Sequence, residues 1–261
     1  MADSEQPKMA GDLLGPMKTI TGNCPKHGQW SREVPAFIDD RITCQACCDE
    51  KRAEAEAAAA EQRIEASRQR RLADLAERGV MARHVEKTFA TFIAETQEQL
   101  AARDACLSLA ESVIAGKKRI PSLILSGGPG TGKTHLTCAM VQHCYDAGKD
   151  ALKGNVMQIV REIKATWRKG ADFDEEYVVC WYANRDLLII DEIGVQFGTD
   201  TERMYVFDII NRRYEDCLPT VLITNLDIAG LRNEVGDRVI DRLREDGGRL
   251  LTFTGKSWRA Q

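Results

Sequence analysis

The residues with the clearest chemistry follow the apolar run Leu123-Ile-Leu. Gly127, Gly128, Pro129, Gly130, Thr131, Gly132, Lys133 and Thr134 fit G-x-x-x-x-G-K-[ST], the spacing of a phosphate-binding loop. Glycines let the backbone fold round a phosphate with successive N–H groups aimed at it. A helix opening at Lys133 would turn its positive end toward the same anion. Lys133 would reach the β- and γ-phosphates of ATP, and the Thr134 hydroxyl would hold Mg²⁺. His135, the next residue, is counted with this nucleotide-contacting run.

The second half of such a site needs carboxylates at a strand end. Leu187-Leu-Ile-Ile190 reads as a buried strand that ends in Asp191-Glu192, 58 positions beyond Lys133. Asp191 would help hold Mg²⁺ through water. Glu192 would orient and deprotonate the attacking water. Asn225, after the strand Thr220–Thr224, can reach a γ-phosphate or that water; alone it is equally a turn residue.

A different chemistry lies upstream. Cys24-Pro-Lys-His27 and Cys44-Gln-Ala-Cys47 form two x₂ pairs separated by sixteen residues. Three thiolates and an imidazole can close a tetrahedral Zn²⁺ site with no open position, so the site is read as structural. Cys48 is left out because adjacent ligands are awkward. The other five cysteines lie in or near apolar segments and are read as buried thiols. His84 and His143 stand alone.

The elements that must position these groups can be placed from pattern. Residues 1–23 have few apolar anchors and are expected to form a mobile tail. Residues 24–48 would form the zinc module. Residues 49–78, with eight acids and seven bases and no Gly or Pro, read as a charged helix that serves as spacer or partner-binding arm and stops at Gly79. From residue 80 to 261 an ATPase domain is expected. Its helices are placed at 95–115, from the loop to Ala147, at Val156 to Lys169, at Thr201 to Tyr214 and at Gly236 to Glu245. Residues 170–180 read as acidic and loop-like at first. Apolar strands alternating with helices predict an α/β fold with a parallel sheet covered on both faces.

The chain has 261 residues, 43% hydrophobic and 29% charged, with net charge −4, which describes a globular protein and not a generally basic nucleic-acid coat. No apolar run reaches the ~18 residues of a membrane span. No basic-then-apolar leader is evident, so nine cysteines are read in a cytoplasmic, reducing setting.

Leu123–Thr134, Asp191-Glu-Ile-Gly-Val-Gln196, Thr224-Asn225, Gly236-Asp-Arg-Val-Ile-Asp-Arg-Leu243 and Ser257-Trp-Arg259 together resemble the DnaC-type replicative helicase loaders, AAA+ ATPases close to the IstB transposition helpers and to DnaA. The likeness covers residues 80–259, and Asp191–Gln196 is suggestive of DnaC-like loaders, prophage versions included. It implies an AAA+ core with sheet order 5-1-4-3-2, Asn225 as first sensor and Arg259 as a second-sensor-like residue. It also implies Arg242 as an arginine finger supplied to a neighbouring subunit's ATP in a ring or spiral. By spacing alone Arg238 and Arg242 share a helix face, and spacing favours their pairing with Asp237, Asp241 or Glu245. In such loaders the helix after the second strand lines a channel for single-stranded DNA, which places Lys164 and Trp167 there; the alternative is Trp167 in the core. Phe89 and Phe92 match the family's T-F-x-x-F segment near the nucleotide base, with core packing the equal alternative.

The resemblance implies a DnaB-type replicative helicase as partner and no membrane. The alternative is an IstB-like ATPase helper of a DNA transposase. A third reading, a zinc-dependent interaction protein with an inert ATP site, is opposed by the intact Glu192. The N-terminal zinc module has no match in the best-known loaders.

Overall fold

The structure is a computed structural model that describes residues 15–194 and 200–254. Two compact units divide between Gln69 and Arg70.

In the first unit, β1 (Met17–Cys24) and β2 (Gly28–Pro35) pair antiparallel, from Met17 opposite Pro35 to Cys24 opposite Gly28. Residues 17–23 are therefore strand, not tail. Thr19, Ile20 and Thr21 supply β-branched side chains, and the Trp30 ring lies where a Cβ on Gly22 would be, at 2.7 Å. Helix α1 (Gln45–Glu77) follows.

Residues 70–77 of α1, and Arg78 after it, belong to the second unit. Arg71 pairs with Asp146 at 2.9 Å, Tyr145 Oη donates to Asp74 at 2.7 Å, and Arg78 pairs with Asp150 at 2.5 Å. The helix ends as read, at Gly79 with φ +81°. Gly79 N–H donates to Ala76 O and Val80 N–H to Leu75 O, a glycine-closed helix end with Leu75 and Val80 both fully buried.

Helix α2 (Gln97–Ile114) starts with a capping box, Thr96 accepting from Gln99 N–H while the Gln99 side chain accepts from Thr96 N–H. The core continues through β3 (Leu123–Gly127), α3 (Lys133–Asp146), β4 (Ala151–Asn155), α4 (Val156–Ala165), α5 (Glu175–Ala183), β5 (Leu187–Ile193), α6 (Asp200–Glu215), β6 (Thr220–Thr224), α7 (Ile228–Val235), α8 (Asp237–Arg244) and β7 (Arg249–Phe253). The five strands are parallel in the order β4-β5-β6-β3-β7. Counted from β3 as strand 1 and read from β7, that is the expected 5-1-4-3-2.

Alternate residues of each strand serve opposite faces. Leu123, Leu125, Leu187 and Ile189 pack with α2 and α3; Ile124, Leu188, Ile190 and Leu222 pack with α4 to α8. Burying each such side chain stabilises the fold by ~1.5–3 kcal/mol.

Several details differ from the sequence pattern. Residues 175–183 are helical, because Asp174 caps the Tyr177 N–H at 2.8 Å and Val179 and Tyr182 are buried. Helix α7 also escaped the pattern; Asp227 caps Gly230 N–H at 2.8 Å. Helix α4 stops at Ala165, short of Lys169. The buried face of α6 is Val206, Ile209, Ile210 and Arg213, while Met204 and Tyr214 are exposed. Arg213 is fully buried; it donates to Ala183 O, Arg185 O and Pro219 O at 2.6 Å each and to Thr220 Oγ1 at 3.0 Å. Burial lowers its pKa to about 9. Of the five remaining cysteines, Cys106, Cys138 and Cys144 are buried, but Cys180 is half-buried and Cys217 exposed.

Candidate functional site

Strand β3 delivers the loop. Gly127 has φ +148°, and a Cβ there would lie 2.3 Å from Phe253 O, so glycine is needed where β3 meets β7. Gly132, φ +106°, precedes α3 with its would-be Cβ 2.9 Å from the Phe92 ring. As a glycine it supplies no side-chain cap, so the first N–H groups of α3 are left for an anion. Thr131 Oγ1 donates to Gly128 O at 2.8 Å and fixes the loop. Lys133, almost fully buried, donates to Gly127 O at 2.5 Å, Gly128 O at 2.8 Å and Asn225 Oδ1 at 3.1 Å. An ammonium turned back onto loop carbonyls suits a loop built to exchange them for phosphate.

The acids stand on a bulge. Ile190 pairs with Leu222 and Ile193 with Thr224, so two residues of β5, Asp191 and Glu192, face one of β6. Glu192 has φ +61°, a conformation unusual outside glycine and frequent at working sites. Asp191 Oδ1 accepts the Glu192 N–H at 2.8 Å. Both acids are held from β4: Lys153 Nζ is 2.6 Å from Asp191 Oδ2, and Asn155 Nδ2 donates to Glu192 Oε2. Sequence reasoning missed Lys153 and Asn155. Lys153 was findable as a lone charge in Ala151-Leu-Lys-Gly-Asn155.

A cleft of about 460 Å³ is lined by Pro129–His135, Asp191, Glu192, Thr224 and Asn225, with Lys87, Thr91, Phe92 and Ile93 on one side. Loop, acids and Asn225 thus meet in one place. Gly127 and Gly128 lie at its edge through their carbonyls on Lys133. His135 takes part through its ring: Nε2 meets Thr88 O at 2.9 Å, and the ring lies edge-on to Phe92 at 5.2 Å. Burial lowers its pKa. Phe92 belongs to the core and also lines the cleft, while Phe89 packs on the core only from its edge.

Arg242 is apart from this cleft. Its guanidinium lies 5.1 Å from the Tyr214 ring centroid. The neighbouring acids are engaged elsewhere: Arg232 pairs with Asp237 at 2.5 Å and Asp241 at 3.8 Å, and Tyr214 Oη donates to Glu245. Among the described residues neither Arg238 nor Arg242 holds a salt bridge. Lys164 is exposed on α4. Trp167 lies two residues beyond that helix and is 49% exposed, which removes the core alternative. Val195, Gln196 and the Ser257–Arg259 motif, Arg259 included, lie outside the described residues.

In the first unit, ligand atoms of Cys24, His27, Cys44 and Cys47 all lie within 4.8 Å of one another. His27 Nδ1 is 3.3 Å from Cys47 Sγ and 3.7 Å from both Cys24 Sγ and Cys44 Sγ, and Cys24 Sγ is 3.5 Å from Cys47 Sγ. Cys24 ends β1, Cys44 precedes α1 and Cys47 sits in its first turn. Backbone N–H groups of His27 and Lys26 lower the Cys24 pKa to about 6, while its bond to Cys24 pushes Cys47 up to about 11. Glu50 meets His27 Nε2 at 3.1 Å and Lys26 Nζ at 2.6 Å. This leaves Nδ1 facing the thiols, as in sites where a carboxylate orients a metal-bound imidazole. Cys48 turns to Thr43 Oγ1, 2.9 Å away, and is outside the cluster.

Residues 51–261 match the family described as IstB-like ATP binding protein. The chain belongs to this family. Family membership makes it an ATP-binding protein, with the cleft as the fitting place for the nucleotide. The IstB-like chain is 38% identical over 142 residues to the replicative helicase loader DnaC of Buchnera aphidicola subsp. Baizongia pistaciae (strain Bp), covering 54% of itself and 58% of that protein. It is 32% identical over 183 residues to the replicative helicase loader DnaC of Escherichia coli (strain K12), covering 70% and 73%. The crystal structure of the DnaC helicase loader superposes with a TM-score of 0.56 at 22% identity, over 66% of this chain and 99% of that one. That likeness shows a shared fold. No described helix is long and apolar enough to cross a membrane.

Proposed function

We propose that the chain is an ATP-switched adaptor that delivers a hexameric DnaB-type replicative helicase to single-stranded DNA, and that it hydrolyses ATP weakly or on partner stimulation. What carries the reading is the convergence of Lys133, Asp191, Glu192 and Asn225 on one cleft, in a chain whose similar proteins are named helicase loaders.

In this reading the P-loop N–H groups and Lys133 bind the β- and γ-phosphates. Thr134 and Asp191 hold Mg²⁺, which when bound neutralises charge on the phosphate oxygens. The Thr134 hydroxyl at the head of α3 and the Asp191 carboxylate at the cleft are hard oxygen donors that fit such an ion. Glu192 accepts a proton from the attacking water, and water oxygen bonds to the γ-phosphorus as the bond to ADP breaks. Asn225 orients that water or the γ-phosphate. Arg242, outside the lining of its own cleft and without a salt bridge among the described residues, reaches the ATP of a neighbouring subunit in a ring or spiral. Lys164 and Trp167 contact single-stranded DNA by charge and stacking. Arg259 completes the site as second sensor.

Cys24, His27, Cys44 and Cys47 hold one Zn²⁺: three sulfurs and one nitrogen within tetrahedral reach fit a closed structural site. The module around it, with the charged helix, binds the helicase. The setting is the cytoplasm. The test is a pull-down with the host replicative helicase beside a nucleotide-binding assay. Capture that requires the first unit supports the adaptor. Capture of a transposase with duplex DNA in place of the helicase would favour the IstB-type helper.

A further inference from the structure

Lys153 is a lysine where its neighbours are apolar or small. It sits on β4 between fully buried or nearly buried Leu152 and Gly154, and its ammonium is 2.6 Å from Asp191 Oδ2. The two side chains are only 13% and 15% exposed, so the attraction is screened far less than at a surface. Asp191 Oδ1 accepts the Glu192 N–H and Oδ2 carries the Lys153 ammonium, so a cation held by this carboxylate competes with Lys153 for its charge. The P-loop ammonium, Lys133, donates to Gly127, Gly128 and Asn225. The backbone of Lys153 is pinned as well. Its N–H donates to Arg78 O at 3.0 Å, and a Cβ on Gly79 would stand 1.9 Å from its carbonyl oxygen.

We propose that Lys153 is a positioning residue for Asp191, a resident counter-ion that a divalent cation must displace, so that Lys153 sets how much Mg²⁺ the nucleotide site requires. The inference rests on the reading of Asp191 as the carboxylate on the metal side. Lysine suits the role because its ammonium is a compact charge on a flexible stem, able to withdraw without rebuilding a planar fork.

The experiment follows binding of a fluorescently labelled ATP analogue as MgCl₂ is titrated from an EDTA baseline. Wild type is compared with Lys153→Met, Lys153→Arg, Asp191→Asn and the Lys153→Met/Asp191→Asn double variant. Lys153→Met should lower the half-saturating Mg²⁺ on the order of tenfold, the effect of removing a competing charge at contact distance. Lys153→Arg, which keeps the charge but pairs with a carboxylate through a planar fork, should keep or raise the Mg²⁺ requirement and not lower it. In the double variant the Lys153 effect should vanish, since it acts only through Asp191. Thermal melting without nucleotide, run in parallel, reports folding separately. A folded Lys153→Met protein whose Mg²⁺ requirement is unchanged or higher overturns the inference. If Asp191→Asn itself keeps the wild-type Mg²⁺ dependence, the metal-side reading of Asp191 is what fails.

Discussion

Among the described residues before Arg70, the buried hydrophobic side chains are Cys24, Val34 and Cys44, and two of these three are candidate metal ligands. Around the nucleotide cleft the reverse holds. The loop leaves a five-stranded sheet buried on both faces, and its shape is set by Gly127 and Gly132 against Phe253 and Phe92. In the proposed reading, the first site needs its ion to hold its own scaffold together. The other is built by backbone and core before any ligand arrives. Ligand removal should therefore be structural in one unit and only functional in the other.

The largest expected effect tests that contrast directly. Chelation, or Cys44→Ser, should unfold the β1–β2 hairpin, since a structural metal's binding energy is the folding energy of so small a segment. Hydrogen exchange should show β1 and β2 lose protection while the sheet keeps it, with ATP binding retained and helicase capture lost. Purified protein without stoichiometric zinc would break the comparison.

Next comes Arg242→Ala, expected to lose hydrolysis on the order of 10³-fold, the lower range for an arginine finger. Mixed with Glu192→Gln protein, some activity should return, because certain interfaces then join an intact finger to an intact cleft. Full activity of Arg242→Ala alone would sink the assignment. Glu192→Gln should cost about 10²-fold or more in turnover with ATP still bound, as a positioned base typically contributes. Unchanged turnover would show that Glu192 is not the base. Neither variant should move zinc content or hairpin protection.

The smallest effects concern DNA. Trp167→Ala should weaken single-stranded DNA binding by roughly tenfold through lost stacking, with the salt slope kept. Lys164→Ala should weaken it and flatten that slope by about one ion. Binding indifferent to both would place the DNA path elsewhere.

What was legible in the sequence was what chemistry ties to close spacing. The P-loop, Asp191-Glu192 and the two x₂ pairs declare themselves within a few residues, and continuous apolar strands gave the parallel sheet. What was not legible depends on partners brought together by the sheet. Asn155 meets Glu192 only because β4 and β5 pair with Asn155 opposite Asp191. The bulge and the positive φ of Glu192 come from register against β6. No local pattern marked Arg213 for burial, because its acceptors include the carbonyls of Ala183 and Arg185 on another segment. Helix α5 hid because its capping acids gave it the composition of a loop. The boundary expected at residue 79 lies about ten residues earlier, since the last turns of α1 carry Leu75 into the core.

That boundary bears on how the protein can be cut. Strand β4 is outermost in the sheet, and an uncovered edge invites pairing with a strand from another molecule. Here the Arg78 carbonyl occupies the Lys153 N–H on that edge. A fragment beginning at residue 79 would lose that cover and Leu75 together, leaving a bare edge beside an apolar hollow. It should self-associate in solution. A fragment beginning at Arg70 retains both and should remain monodisperse without nucleotide, which makes it the fair partner for any experiment that compares the two units.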